Sequence, residues 1–120
     1  MTVQDNKEKN VILELTFEFA LAAMKFAEMV QEKRKYVMAD QFLRAGLSLA
    51  SNVKEAQNAE SKADFVHKMK IAAKEADEAE LYLMLCKQAE NYPFEDHLLD
   101  KIKVIIKVLS KIIGTSKRSM

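Results

Sequence analysis

The chain reads as all-α, an up-down-up-down antiparallel four-helix bundle, on three observations. Two glycines and one proline in 120 residues leave almost none of the punctuation that a chain of short strands requires. Hydrophobic residues make up 49% and charged residues 31%, a balance suited to amphipathic helices. The apolar residues also recur at alternating spacings of three and four, the period of one helical face. At 13.7 kDa the chain is expected to form a single four-helix-bundle domain over residues 1–120. That size is close to the one at which association with further copies adds much stability.

The first helix, at about 7–33, carries Ile12, Leu15, Phe19, Ala22, Phe26 and Met29 on one face. The second, at about 37–59, reads Met38, Phe42, Ala45, Leu49, Asn52, Ala56 and Ala59, with an amide inside its apolar seam. Ser61 followed by Asp64 resembles a capping box and starts the third helix, about 62–91. Its seam is Phe65, Met69, Ala72, Ala76, Ala79, Leu83 and Cys86, and the Asn91-Tyr92-Pro93 breaker ends it. The fourth runs over about 95–113; Gly114 is expected to cap it, and the tail 114–120 to fray.

Short connections make neighbouring helices antiparallel. With the turn near residue 60 as pivot, Ala56 aligns with Phe65, Leu49 with Ala72 and Phe42 with Ala79. A small residue thus opposes a large one each time, as interdigitating layers require. Ala45 would face Ala76 and let the two backbones approach.

The formal charge is only +1, yet its distribution is uneven. Residues 75–96 hold seven acids against Lys87, and residues 97–120 hold six basic groups against Asp100. The lone Cys86 excludes an internal disulfide and suits a reducing compartment. The polar N-terminus lacks the apolar core of a signal peptide, and no apolar run approaches the ~20 residues of a membrane span. A cytoplasmic protein with no membrane partner is expected.

Polar residues inside the seams raise the question of chemistry. Ile71, Glu75, Glu78, Tyr82 and Leu85 form a second stripe on the third helix, and Asn52 with Glu55 lies on the second. A carboxylate among apolar neighbours is costly unless paired. A di-metal bundle needs Glu from two helices and Glu-x-x-His from two more. His67 and His97 do not supply that pattern. No glycine-rich phosphate loop exists, and Cys86 has no histidine at helical reach. No catalytic, cofactor-binding or metal residue is therefore assigned, and no cofactor is expected. Asn52, Glu55, Glu75 and Glu78 are expected to satisfy one another, or backbone and lysine partners, and to set helix register or subunit contacts.

Two helices carry more apolar surface than one bundle face covers. The fourth holds ten aliphatic residues between Leu98 and Ile113, and the first has Leu13, Phe17, Ala20, Met24 and Ala27 beside its main seam. Stripes of that length mark interfaces, so a homo-oligomer is expected.

Residues 14–21 and 41–83 resemble the four-helix-bundle family of 23S rRNA-intervening-sequence proteins. The likeness rests on Gln41, Arg44, Gly46, Ser48, Asn52, Glu55 and Ala56, then Ser61, Asp64 and Phe65, then Lys68, Ile71, Ala72, Lys74, Glu75, Glu78 and Glu80. Ser51, Ala79 and Leu81-Tyr82 depart from the pattern. The resemblance implies a ring-like homo-oligomer, commonly a pentamer, without enzymatic activity. It also gives Arg44, Asn52, Glu55, Lys74, Glu75 and Glu78 a structural or interface role. The chain is similar as well to the accessory variability determinant protein of diversity-generating retroelements, whose pentamer binds nucleic acid and the reverse transcriptase.

Independently, Lys101, Lys103, Lys107, Lys111, Lys117 and Arg118 are candidates for contact with nucleic acid. Repeated around a ring they would attract phosphates, with affinity falling as salt rises. No aromatic residue interleaves them for base stacking. The competing reading is a protein–protein scaffold that uses the acidic 75–96 segment or the apolar stripes. A metal- or nucleotide-processing bundle would rest on Glu55, Glu75 and Glu78 alone.

Overall fold

The structure, a computed structural model, describes the backbone of residues 3–119 and the side chains of residues 11–119. Its elements are α1 (Val3–Glu32), α2 (Tyr36–Ala56), α3 (Lys62–Gln88) and α4 (Asp96–Arg118), with no strand among the described residues. Each helix packs on two others, in the order α1, α2, α3, α4 and back to α1, with no comparably close backbone approach across either diagonal among the described residues. The result is a four-helix bundle 47 Å long and 22 × 18 Å across.

The helix ends follow from local chemistry. Lys35 N–H donates to Val30 O and Arg34 N–H to Gln31 O, the paired bonds that close a helix through a left-handed residue. Arg34, at φ 63°, takes that position without being glycine. α2 ends at Ala56, three residues before the expected boundary. Gln57, Asn58 and Ala59 instead donate to carbonyls three residues back, a tightening that apolar periodicity does not reveal. Ser61 Oγ accepts from Asp64 N–H at 3.0 Å and Asp64 accepts from Glu60 N–H at 3.1 Å, so the expected cap forms with its return bond one residue early. α3 stops at Gln88, where Ala89 turns extended, and Asn91 at φ 66° directs the chain into Pro93.

α4 departs most from expectation. It passes through Gly114 and ends at Arg118, so the glycine is no cap and residues 114–118 are helical. Thr115 and Ser116 are half-buried, and Lys62 Nζ donates to Ser119 Oγ at 2.5 Å. That bond ties the end of α4 to the start of α3. Met120 lies outside the described residues.

One cluster of buried residues draws on all four helices. The α3 seam is as expected, every member from Phe65 to Cys86 being buried. On α1 the buried line is Ile12, Thr16, Phe19, Ala23, Phe26 and Val30, whereas Leu15 and Ala22 are half-buried and Met29 is exposed. Thr16 enters the core because its hydroxyl donates to Ile12 O at 2.8 Å, which satisfies it within its own helix. On α2, Ala39 and Val53 are buried where Met38 and Asn52 had been the apparent seam.

Phe42 sits edge-on to Phe19 and Phe26, with centroids 6.0 and 5.3 Å away. Beside it α1 and α2 approach closely. A Cβ added to Gly46 would lie 2.9 Å from Ala23 Cβ, so the glycine is required by backbone proximity.

Candidate functional site

Three surfaces hold the candidate residues. The first is the polar flank between α2 and α3. Arg44 Nη1 donates to Glu75 Oε2 at 2.9 Å and Nη2 to Glu78 Oε2 at 2.5 Å. The single guanidinium therefore bridges both glutamates, which stand one turn apart on α3. Glu75 is buried and Glu78 half-buried, while Arg44 reaches solvent. Its hydrogen bonds to Glu78 and then Glu75 push the guanidinium still further above its ordinary range, so it stays charged at every accessible pH.

Asn52 stands apart from this cluster: its amide donates to Ser48 O at 2.8 Å and to Ser48 Oγ at 3.3 Å. Glu55 and Lys74 are exposed. Among the described residues no buried side-chain nitrogen or oxygen lacks a partner, and no three His, Cys, Asp or Glu side chains group as metal ligands. The arrangement is a closed ion cluster that ties α2 to α3.

The second surface is the outer face of α4. Lys103, Lys107, Lys111 and Arg118 are exposed and fall within an arc of about 80° around the helix axis, with each Lys-to-Lys step of four residues rising about 6 Å. Lys101 and Lys117 are exposed too, but helical spacing puts them outside that arc, on opposite sides of it. Asp100 precedes the row in the same direction and Val104 borders it, both exposed. Sequence adjacency thus overstated a six-residue patch: four members form a row and two flank it.

The third surface is apolar. Phe17, Leu21 and Met24 on α1 are 64%, 50% and 49% exposed. Ala20 and Ala27, expected in the same stripe, are buried instead. On α2, Leu47 is exposed and Leu43 and Ala50 half-buried, sharing one face of that helix between the Gly46 and Arg44 directions. A smaller group, Leu81, Met84 and Leu85, is exposed near the end of α3. α4 contributes less than expected. Packing against both α3 and α1 leaves Val104 exposed and Ile106, Val108 and Ile113 half-buried. Among the described residues no helix is long and apolar enough to cross a membrane.

A four-helix bundle with an ion cluster bridging two helices, a basic outer row and uncovered apolar residues is the class of protein these features define. The family model of the 23S rRNA-intervening sequence protein matches residues 8–114, and the chain belongs to that family. It is also similar to a crystal structure of a protein of unknown function from the S23 ribosomal protein family of Bacteroides thetaiotaomicron VPI-5482. The two share 35% identity and a TM-score of 0.82 over 89% of this chain and 98% of the other. No curated protein matches the chain.

Proposed function

We propose that the protein is a non-enzymatic, self-associating cytoplasmic bundle that binds RNA or a ribonucleoprotein as an accessory factor. The observation that carries this reading is the outward row of Lys103, Lys107, Lys111 and Arg118 on α4. Such a row presents four cations along about 22 Å of helix and suits a phosphate backbone. The family's rRNA context supports RNA as the polyanion.

Self-association places copies of that row side by side. The exposed Phe17, Leu21 and Met24 support it, because a folded monomer rarely leaves such a stripe uncovered. A closed ring, with five subunits as the expected number, would multiply the field of one chain.

Filter binding of a structured RNA at about 50 and about 200 mM salt tests the reading. Binding is expected at the lower concentration, with a steep loss at the higher, and Lys103→Glu with Lys107→Glu should remove most of it. Salt-independent binding, or full binding by that double variant, counts against the α4 row.

A second reading, a scaffold for another protein, is favoured by Leu81, Met84 and Leu85 standing exposed within the acidic 75–96 segment. Recovery of one stoichiometric protein partner without RNA would select it.

A further inference from the structure

We propose that the turn between α1 and α2 is a contact for single-stranded RNA, with Lys33 and Arg34 on phosphates and Tyr36 as a stacking platform. This inference rests on the RNA-binding reading above but concerns a different surface. The sequence at the turn is Lys33-Arg34-Lys35-Tyr36-Val37. Lys33, Arg34, Tyr36 and Val37 are all exposed, Tyr36 at 54% and Val37 at 78%. The α4 row has cations and no aromatic ring; here cations and a ring are adjacent, the combination that single strands require.

The three cations of the turn are not equivalent. Lys35 is half-buried and its Nζ lies 4.9 Å from the Tyr92 ring centroid, so it ties this turn to the α3–α4 connection. Lys33 and Arg34 make no ion pair among the described residues. Arg34 also holds the left-handed position at φ 63°, where glycine is the less strained residue. Keeping an arginine there retains a cation at a cost in backbone energy, a pattern that points to use of the side chain.

The surrounding acids limit the role of charge. Glu95 is held by His97, and Asp96 lies 3.8 Å from Lys87. Glu32, Asp40 and Glu90 remain exposed near the same end. With cations and acids nearly balanced, simple attraction of a duplex polyanion is weak at this end. Discrimination must then come from stacking on Tyr36, which a base in a duplex cannot provide.

The chain contains no tryptophan, so Tyr36→Trp supplies one reporter at the proposed contact. Its emission is titrated with 12-nucleotide single-stranded oligo(A) and oligo(U) RNA and with a duplex of the same length. Anisotropy of labelled RNA is followed in parallel for wild type, Tyr36→Ala, Lys33→Ala with Arg34→Ala, and Lys103→Glu with Lys107→Glu. Melting curves confirm that each variant is folded.

Single strands should quench the tryptophan saturably, and Tyr36→Ala should weaken single-strand binding roughly tenfold while sparing the duplex. The Lys33/Arg34 variant should lower the salt slope by about 1.4. Unchanged emission with both turn variants within twofold of wild type, while the α4 variant loses binding, overturns this proposal and leaves the α4 reading standing. Loss in the turn variants alone supports it and removes the α4 row. If wild type binds neither RNA at low salt, both fail.

Discussion

Arg44 joins two acids, one of them buried, with a single side chain, and its removal is more informative than a survey of the pairs around it. Arg44→Leu strands Glu75 without its partner, which costs about 1–3 kcal/mol; because Arg44 is solvent-accessible, the loss is expected toward the low end. Adding Glu75→Leu should recover much of it, since apolar replacement of both partners removes the stranded charge. Urea melts of the two single variants and the double variant measure the coupling, and strict additivity would show that the bridge contributes nothing.

Cys86 makes a second test at this scale. Burial pushes its thiol above the ordinary value of 9.0. The unfolded chain therefore loses that proton first, so the contribution is complete below 9.0 and stability falls as pH rises beyond it. Alkylation of the native protein at pH 8 should be slow and should follow the opening rate. Rapid stoichiometric labelling would contradict the burial.

Between elements, two glycines in helices distinguish packing from propensity. Gly46→Ala drives a methyl to 2.9 Å from Ala23 Cβ, and neither backbone yields easily. It should lower the melting temperature although alanine is the better helix former. Gly114→Ala meets its nearest neighbour, Arg118 Nη1, at 3.5 Å. It should gain up to about 1 kcal/mol from propensity alone. Opposite signs in one melting experiment verify both helix assignments. If Gly114→Ala destabilises, α4 ends earlier than described here. At the α2–α3 seam, Ala76→Leu should overpack a fully buried site and cost roughly 1–3 kcal/mol.

For the whole molecule, the balance of covered and uncovered apolar surface decides the state in solution. α1 leaves Phe17, Leu21 and Met24 in water, whereas the aliphatic circumference of α4 is mostly taken up inside its own bundle. Light scattering at micromolar concentration is expected to give a multiple of 13.7 kDa. Leu21→Glu with Met24→Glu should reduce that mass with little change in helicity, because both sites are on the outer face. A monomeric wild type would leave the α1 stripe without a role in self-association.

By itself, the sequence determined the helical class, the approximate extents of four helices and the α3 seam, because those follow from spacing along one chain and from scarce glycine and proline. The Ser61–Asp64 start was legible for the same reason: a cap is a bond between near neighbours. Periodicity could not choose between Leu15 and Thr16, or between Asn52 and Val53, since residues one apart differ by about 100° on a helix and hydropathy favours the wrong member of one pair. Packing against the neighbouring helices made those choices, while bonds within each helix, Thr16 to the Ile12 carbonyl at 2.8 Å and Asn52 to Ser48, satisfied the polar members. Only the folded molecule brought Arg44 between Glu75 and Glu78 and carried α4 past Gly114. Each of these depends on which helix lies beside which, a relation between distant parts of the chain that local spacing does not contain.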